Sequence, residues 1–211
     1  MMGKTYSLRP ILFKDMMIKS EEQIGIEKEN INAINVFPIP DGDTGSNIYF
    51  TLQAIVKEVQ LITEGNCDQI FQAISKGSFI GAKGNSGVIY SQFLIGVAEF
   101  LDKAGSITPI TFSEALKEGT VFAYDSVLNP TEGTILTVMK AVTKKALELI
   151  KENPSIDWIE YIEKLVEASN ITLKQTKEML DVLKEANVVD AGAKGFVHIL
   201  ESWRDIIVNG K

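Results

Sequence analysis

The sequence predicts an all-α fold, a barrel or bundle of eight antiparallel helices. Apolar residues recur at three- and four-residue steps along most of the 211 residues, and no clear period-two alternation typical of strands occurs. Short segments rich in Gly, Pro, Asn and Ser interrupt this helical pattern. No long linker or low-complexity run divides the chain, so we expect a single domain over residues 1–211.

Four helices are predicted in the first half of the chain from their apolar periodicity. The first covers residues 11–28 and the second covers residues 48–62. After a Gly-Asn turn, a third helix begins at Ile70 and includes Phe79 among its apolar residues. The fourth runs over residues 84–103.

Four more helices are predicted in the second half. The fifth covers residues 112–128, the sixth 134–151 and the seventh 156–175. A further segment, residues 179–186, is predicted to be helical but separate from the seventh helix. The last helix covers residues 196–208.

Capping residues assign two of the helix starts. Thr111 and Glu114 have the three-residue spacing of a capping box, which predicts the start of the fifth helix. Ser155 follows a proline and is predicted to cap the seventh helix.

Composition and charge exclude several classes of function. A net charge of −7 and no basic patch argue against nucleic-acid binding and against an anionic membrane surface. Cys67 is the only cysteine, which excludes a disulfide framework and a thiolate metal cluster. No apolar run is long enough to span a bilayer, and the N-terminus lacks the pattern of a signal peptide. We therefore expect a cytoplasmic protein without an integral membrane segment.

The stretch NVFPIPDGDTGSN (residues 35–47), just before the second helix, contains two prolines and two aspartates that could form a binding site. Its two prolines restrict the backbone, and Asp41 and Asp43 flank a single glycine, a spacing that lets both carboxylates turn toward one point. This predicts a stiff turn that presents two carboxylates to a divalent metal and a phosphate. Because Asp, Thr and Ser all cap helices, an ordinary helix N-terminus is the alternative.

Three further glycine-rich segments resemble the first in position: GAKGNSG (residues 81–87), PTEGT (130–134) and DAGAKG (190–195). Each precedes or opens an even-numbered predicted helix. Short connections make sequential helices antiparallel, so every second helix begins at the same end of the molecule. We therefore expect these four segments to lie together at one rim.

Such a rim is expected to bind an anion. Helix N-termini present backbone N–H groups and positive dipole ends, and glycines allow close approach of a ligand. Phosphate is the anion that these features favour, with Mg²⁺ between it and the two carboxylates. For GAKGNSG alone, small residues that permit close helix packing remain an equal alternative.

Other motif assignments fail on spacing. The stretch from Asp41 is not a calcium loop, because its twelfth position is Leu52 and not a bidentate Glu. GAKGNSG has neither the Gly-Lys-Ser/Thr of a P-loop nor the spacing of a dinucleotide fingerprint.

Five single residues outside these assignments are also interpreted. Trp158 and Trp203 fall at helical spacing with apolar residues and are predicted to be core. His198, the only histidine, is predicted to be a core or interface residue. Lys83 and Lys194 lie in glycine-rich segments, where either a phosphate contact or an ordinary surface position is expected.

The four motifs NVFPIPDGDTGSN, GAKGNSGVIYSQ, PTEGTILTV and VVDAGAKG occur in an order that resembles a known family. They are similar to the nucleotide-binding domain shared by dihydroxyacetone kinases and bacterial fatty acid kinase. The similarity is greatest to the N-terminal ATP-binding domain of bacterial fatty acid kinase, and it covers essentially the whole chain. It implies a barrel of eight antiparallel helices with Mg-nucleotide bound at one end.

The resemblance also implies roles for particular residues. Asp41 and Asp43 would ligate Mg²⁺, with two ions bridging the phosphates of ATP or ADP, and would act in catalysis through the metal. In the dihydroxyacetone kinase branch a third aspartate precedes this pair. Here its nearest counterpart is Asn35, at a slightly different spacing, so either a neutral ligand or no ligand takes its place. The implied nucleotide contacts are Thr44, Gly45, Asn47, Gly84, Asn85, Ser86, Gly87, Gly133, Thr134, Asp190 and Gly192.

The function implied by the resemblance is transfer of the γ-phosphoryl of ATP to a fatty acid carboxylate. A separate fatty-acid-carrying protein would present that carboxylate, which is ionised near neutral pH and needs no general base. One alternative is the nucleotide-binding component of a dihydroxyacetone-type (glycerone) kinase. Another is a non-catalytic regulatory domain that binds ADP. The sequence leaves open a homodimer and an isolated domain that is inactive without partners or further domains.

Overall fold

The computed structural model describes residues 7–209 and contains nine α-helices over that range. A short 3₁₀ segment, Glu64–Gln69, precedes the third helix. In chain order the helices are α1 Leu12–Asn32, α2 Thr44–Val59, α3 Ile70–Gly81, α4 Gly84–Lys103, α5 Pro109–Asp125, α6 Ile135–Glu152, α7 Trp158–Met179, α8 Asp181–Ala186 and α9 Ala191–Asn209.

Eight long helices form a closed ring. Each of α1 to α7 packs against the next, α7 packs against α9, and α9 returns to α1. The six-residue helix α8 lies in the connection between α7 and α9 and packs against α7. The predicted all-α fold is confirmed, and the separate helical segment expected near residues 179–186 is α8.

The interior of the ring is filled by aromatic and branched aliphatic side chains. Trp158 and Trp203 are 0% and 1% exposed, as predicted for core residues. The ring of Phe112 lies between them in edge contacts, with centroids 5.6 Å from Trp158 and 6.2 Å from Trp203. Edge-to-face aromatic pairs add to the free energy of burial, so this cluster anchors α5, α7 and α9 to one another.

Phe79, expected among the apolar residues of α3, is 77% exposed. The helix instead presents glycines to α2, because a Cβ at Gly77 would lie 2.5 Å from the Cα of Ile55. Gly81, four residues on, lies on the same face, and Phe79 is on the opposite one. Close backbone approach therefore decides which face of α3 is buried.

Several helix starts differ from the prediction. The capping box of α5 is formed by Thr108 and Thr111, with Pro109 at the first helical position, and not by Thr111 and Glu114. The cap of α7 is Asp157, whose carboxylate accepts from two backbone N–H groups, and not Ser155.

The helices α2 and α9 begin at Thr44 and Ala191, several residues before the predicted starts. Their first turns consist of small and polar residues, which carry no apolar periodicity. None of the helices within residues 7–209 combines the length and the apolar character that a membrane span requires.

Candidate functional site

The starts of α2, α4, α6 and α9 lie around two adjoining cavities at one end of the ring. The larger has a volume of about 490 Å³ and the smaller about 140 Å³. Both are lined by Pro38 and by Gly84, Asn85 and Ser86. The GAKGNSG turn therefore stands between the two cavities and forms part of each wall.

The larger cavity, here called the cleft, has a mainly apolar lining with a polar edge. Its walls come from the loop before α2, the first turns of α4, the α5–α6 connection and the starts of α6 and α9. The lining residues are Phe37, Pro38, Gly84, Asn85, Ser86, Val88, Ile89, Ser126, Val127, Leu128, Asn129, Thr131, Thr134, Ile135, Leu136, Asp190 and Gly192. A space of this size, with a mainly apolar lining and a few polar groups, is typical of a small-molecule site.

The smaller cavity contains both carboxylates predicted to bind metal. Asp41 is exposed, Asp43 is half-buried, and both line this space together with Thr44 and Asn47. We call it the carboxylate cavity. Its oxygen-rich lining is the type of donor set that Mg²⁺ prefers.

Two asparagines, one at the end of α1 and one three residues after it, hold the carboxylate loop in place. The Asn35 Oδ1 accepts hydrogen bonds from the N–H groups of Asp43 and Thr44, at 3.3 and 3.0 Å, and from the Thr44 hydroxyl at 2.7 Å. The Asn32 Oδ1 accepts from the N–H groups of Gly45 and Ser46, at 2.8 and 3.1 Å. These side chains act as external caps for the first turn of α2.

This geometry corrects two expectations. The first amides of α2 are already hydrogen-bonded, so this helix does not offer the unpaired N–H groups expected of it. Asn35 is a candidate metal ligand by sequence, but its side-chain oxygen already accepts three hydrogen bonds, more than its two lone pairs accommodate singly. We assign Asn35 to holding the loop. Asn32, which sequence reasoning missed, performs the same task.

Replacing Asn32 by Ala is expected to lower the free energy of unfolding by about 1–2 kcal/mol, as for loss of a helix cap. The reason is that two amides at the start of α2 lose their acceptor. Asn30→Ala is the matched control, because the exposed Asn30 bonds only to the side chain of Glu27 among the described residues. Urea denaturation of the two variants measures the difference, and equal stability would contradict the capping role of Asn32.

The start of α4 retains free backbone donors. Within residues 7–209, the N–H groups of Gly84, Asn85 and Ser86 have no hydrogen-bond partner. Gly84 adopts a left-handed conformation with φ of +61°, and a Cβ there would lie 2.2 Å from the Nδ2 of the buried Asn47. Only glycine fits this turn, which begins α4 with three residues that line both cavities.

Thr134 and Gly133 shape the turn that begins α6. The Thr134 hydroxyl donates to the Thr131 carbonyl at 2.8 Å, and the Gly133 N–H donates to the Thr137 hydroxyl at 2.8 Å. Gly133 has a φ of +87°, and a Cβ on it would come within 2.8 Å of Met179. The structure therefore places Thr134 in the cleft wall and Gly133 behind it.

Asp190 connects two helix starts at the floor of the cleft. Its Oδ1 accepts from the Ala193 N–H at 2.7 Å, which caps α9, and the backbone of Ile135 at the start of α6 also bonds to this carboxyl. The side chain is buried, and burial raises the pKa of Asp190 to about 6, although the bonds from Ala193 and Ile135 oppose the shift. Asp190 thus holds α6 and α9 in register beside the cleft.

This raised pKa predicts a pH dependence of stability. The folded state binds the Asp190 proton more tightly than the unfolded state, so the contribution of this group to stability falls as the pH rises from 4 toward 7. A shift of this size corresponds to about 2–3 kcal/mol. Urea denaturation between pH 4 and 7 should show that Asp190→Asn removes this part of the dependence. If the free energy of unfolding of the wild type and of Asp190→Asn changed with pH in the same way, the raised pKa of Asp190 would be contradicted.

Three glycines predicted to contact nucleotide line neither cavity and instead permit close packing. A Cβ at Gly45 would lie 2.3 Å from the Lys28 carbonyl oxygen of α1, and one at Gly87 would lie 2.6 Å from the Thr51 hydroxyl of α2. Gly133 packs against the end of α7. Small-residue packing is the alternative interpretation of GAKGNSG, and it applies to Gly87 but not to Gly84.

The basic residues near the rim lie outside both linings. Lys194 and His198 line a separate groove with Glu201, where the His198 Nδ1 is 3.3 Å from a Glu201 oxygen. The Lys83 Nζ lies 4.4 Å from the centroid of the Phe50 ring. Among the described residues, neither cavity has a Lys, Arg or His in its lining. A phosphate bound here would depend on backbone amides and metal.

The ring of helices defines a helical-barrel domain with two adjoining cavities at one end. A family model described as the DAK2 domain matches residues 38–205. The chain belongs to the DAK2 domain family.

Curated bacterial relatives share about a third of their length with this chain. An uncharacterized protein of Staphylococcus aureus strain USA300 is 37% identical over 192 residues, which cover 91% of this chain and 35% of the relative. Protein YloV of Bacillus subtilis is 36% identical over 191 residues, which cover 90% of this chain and 34% of the relative.

Two crystal structures of dihydroxyacetone kinase from C. freundii share the fold. The complex with AMP-PNP and Mg²⁺ aligns with a TM-score of 0.67 and 14% identity over 97% of this chain and 35% of the kinase chain. The native form aligns with a TM-score of 0.65 and 13% identity over 96% of this chain and 35% of that one. Sequence identities this low show that this chain and the kinase share a fold, and they show nothing about its function.

Proposed function

We propose that this chain is the Mg-nucleotide-binding domain of a kinase and that it donates the γ-phosphoryl of ATP to a fatty acid carboxylate held by a separate protein. The observation that carries the proposal is the adjacency of the two cavities across the unpaired amides of residues 84–86. The apolar cleft would hold the base of the nucleotide, the free N–H donors would hold its phosphates, and the pair of carboxylates would hold the metal. These three features lie next to one another in that order.

The residues present fit a magnesium ion shared with phosphate. Asp41 and Asp43 supply two carboxylates to an oxygen-lined cavity. Among the described side chains, which do not include that of Cys67, no group of three His, Cys, Asp or Glu could hold a metal unaided. Mg²⁺ typically takes one or two carboxylates and fills its other positions with phosphate oxygens and water. When bound, it supplies charge neutralisation for the phosphates.

The backbone of the GAKGNSG turn would hold the phosphates themselves. The amides of Gly84, Asn85 and Ser86 combine free donors with the positive end of the α4 dipole. The Ser86 hydroxyl lies 3.5 Å from the Thr44 hydroxyl and faces the same cavity as the carboxylates. Fixed donors of this kind stabilise developing charge without reorganising during the reaction.

The choice of acceptor is supported by what lines the site. The titratable side chains of the two cavities, among the described residues, are Asp41, Asp43 and Asp190, and Asp190 is occupied as a helix cap. A carboxylate acceptor attacks without losing a proton, whereas a hydroxyl acceptor needs a base to take one. The lining therefore favours a carboxylate over the hydroxyl of dihydroxyacetone.

The transfer experiment uses a full-length relative, because the chain spans about a third of such proteins. The relative is incubated with Mg-ATP and either a fatty-acid-loaded binding protein or dihydroxyacetone, and acyl phosphate is trapped with hydroxylamine as the hydroxamate. Hydroxamate only with the loaded partner supports the proposal. Phosphorylated dihydroxyacetone would support the hydroxyl kinase, and nucleotide retention without transfer would support a regulatory domain.

A further inference from the structure

Glu132, in the PTEGT segment, forms a hydrogen-bonded cluster that the site described above does not use. Its Oε1 accepts from the Tyr124 hydroxyl at 3.1 Å and from the Lys140 Nζ at 3.0 Å. Its Oε2 accepts from the Thr137 hydroxyl at 2.5 Å. Tyr124 lies in the last turn of α5, and the other two donors lie near the start of α6. One carboxylate thus ties the two ends of the α5–α6 connection together.

The cluster also orients the turn next to it. The Thr137 hydroxyl donates a hydrogen bond to Glu132 and accepts one from the Gly133 N–H at 2.8 Å. Gly133 has the left-handed backbone conformation, with a φ of +87°, from which α6 begins. Hydrogen bonds from Thr137 and Lys140 hold the pKa of Glu132 below its usual value, so the carboxylate is ionised at neutral pH.

The connection that Glu132 fixes is a large part of the cleft. It supplies six of the lining residues: Ser126, Val127, Leu128, Asn129, Thr131 and Thr134. Leu128 is 95% exposed, so packing does little to hold this wall at its tip. The hydrogen bonds of Glu132 at the base of this wall therefore have to hold it in place.

We propose that Glu132 is a positioning residue of the nucleotide cleft, whose carboxylate holds the α5–α6 connection in the shape that receives the nucleotide; this rests on the proposed nucleotide-binding function. Glu132 does not line the cleft and acts through Thr137 and Tyr124. Its side chain is 54% exposed, and exposed ion pairs add little to global stability. Loss of Glu132 should therefore affect ligand binding more than unfolding.

The test compares the affinities of the wild-type chain and its variants for AMP-PNP with Mg²⁺ by calorimetry. Glu132→Ala should weaken binding about tenfold and Glu132→Gln by less, because a neutral amide retains one acceptor. Glu167→Gln is the matched control, since Glu167 pairs with Lys164 at 3.1 Å on the surface of α7, and it should bind within about twofold of wild type. The melting temperatures of all three variants should stay close to that of the wild type.

Two further measurements separate positioning from general destabilisation. Hydrogen exchange of the Gly133 amide should accelerate in Glu132→Ala without ligand, while exchange in α4 and α9 stays unchanged. The loss of affinity in the double variant Glu132→Ala/Thr137→Val should be smaller than the sum of the two single losses, because the two side chains share one hydrogen bond.

The outcomes distinguish the two proposals. If the wild-type chain does not bind AMP-PNP with Mg²⁺, the proposed function itself is contradicted. If the wild-type chain binds but Glu132→Ala binds equally well, or exchange at Gly133 is unchanged, only the role of Glu132 is overturned. Additive losses in the double variant would likewise exclude action through Thr137.

Discussion

Replacing Asp41 and Asp43 by asparagine is expected to weaken Mg-dependent nucleotide binding by more than ~100-fold, since changes merely to groups behind a metal ligand already cost ~10–100-fold. Among the described residues, the carboxylates are the only charged groups that line the carboxylate cavity. Their neutral amides keep the shape of the side chains and remove the charge that attracts Mg²⁺. Calorimetric titration of AMP-PNP with and without Mg²⁺ measures the effect.

The fold should tolerate this double change. Asp41 is exposed, and no hydrogen bond within residues 7–209 uses either carboxylate. Helicity and the melting temperature are therefore expected to stay near wild type. Asp102→Asn, at the exposed end of α4 far along the chain from the cavity, is the control and should bind normally. Undiminished affinity in the Asp41/Asp43 variant would remove the basis for the metal site.

Gly84→Ala is expected to lower the free energy of unfolding by about 3 kcal/mol and to abolish tight nucleotide binding. A left-handed conformation costs an alanine about 1–2 kcal/mol, and overpacking adds about 1–3 kcal/mol. The overpacking arises because the new Cβ would meet Asn47 at 2.2 Å, and Asn47 is only 4% exposed. A backbone movement that relieves this clash would displace the three amides of residues 84–86 that are proposed to hold phosphate.

The chain offers a control that separates strain from contact. Gly105 has a similar φ of +68°, but no described atom lies within 4 Å of the Cβ that alanine would add. Gly105→Ala should therefore cost about 1–2 kcal/mol and leave nucleotide binding unchanged. Denaturant titrations together with AMP-PNP affinities test both variants. If the two alanines were equivalent in stability and binding, the contact with Asn47 would have no role.

The spacing of the glycine-rich segments was sufficient to predict where the candidate site lies. Antiparallel order follows from short connections, and it brings the segments containing Asp41, Ser86, Thr134 and Asp190 to one end. The inference needed no side-chain detail, since it depends only on the alternation of helix direction. The same reasoning could not separate the roles of neighbouring residues. Gly84 lines both cavities and Gly87 lines neither, because the two face different sides of the α4 start.

Contacts distant in sequence were harder to predict. Asn32 lies in a helical stretch with no local sign that its amide would cap α2. Two asparagines three residues apart just before the carboxylate loop are the only trace of this role in the sequence. Likewise, Val88 and Leu128 appear as ordinary apolar residues until α4 and the α5–α6 connection face each other across the cleft.

The sequence by itself determined the helical class, the antiparallel order of sequential helices and the end of the molecule where acidic and glycine-rich segments meet. These properties depend on periodicity and chain direction, which are local. Only the tertiary structure decided which helix start keeps its amides free. The amides of α2 are capped by Asn32 and Asn35, and Asp190 bridges α6 and α9. Within residues 7–209 only α4, among the helix starts around the cavities, therefore presents three successive unpaired donors. Hydrogen-bond satisfaction is a property of neighbours in space, and residues far apart in the chain provide it.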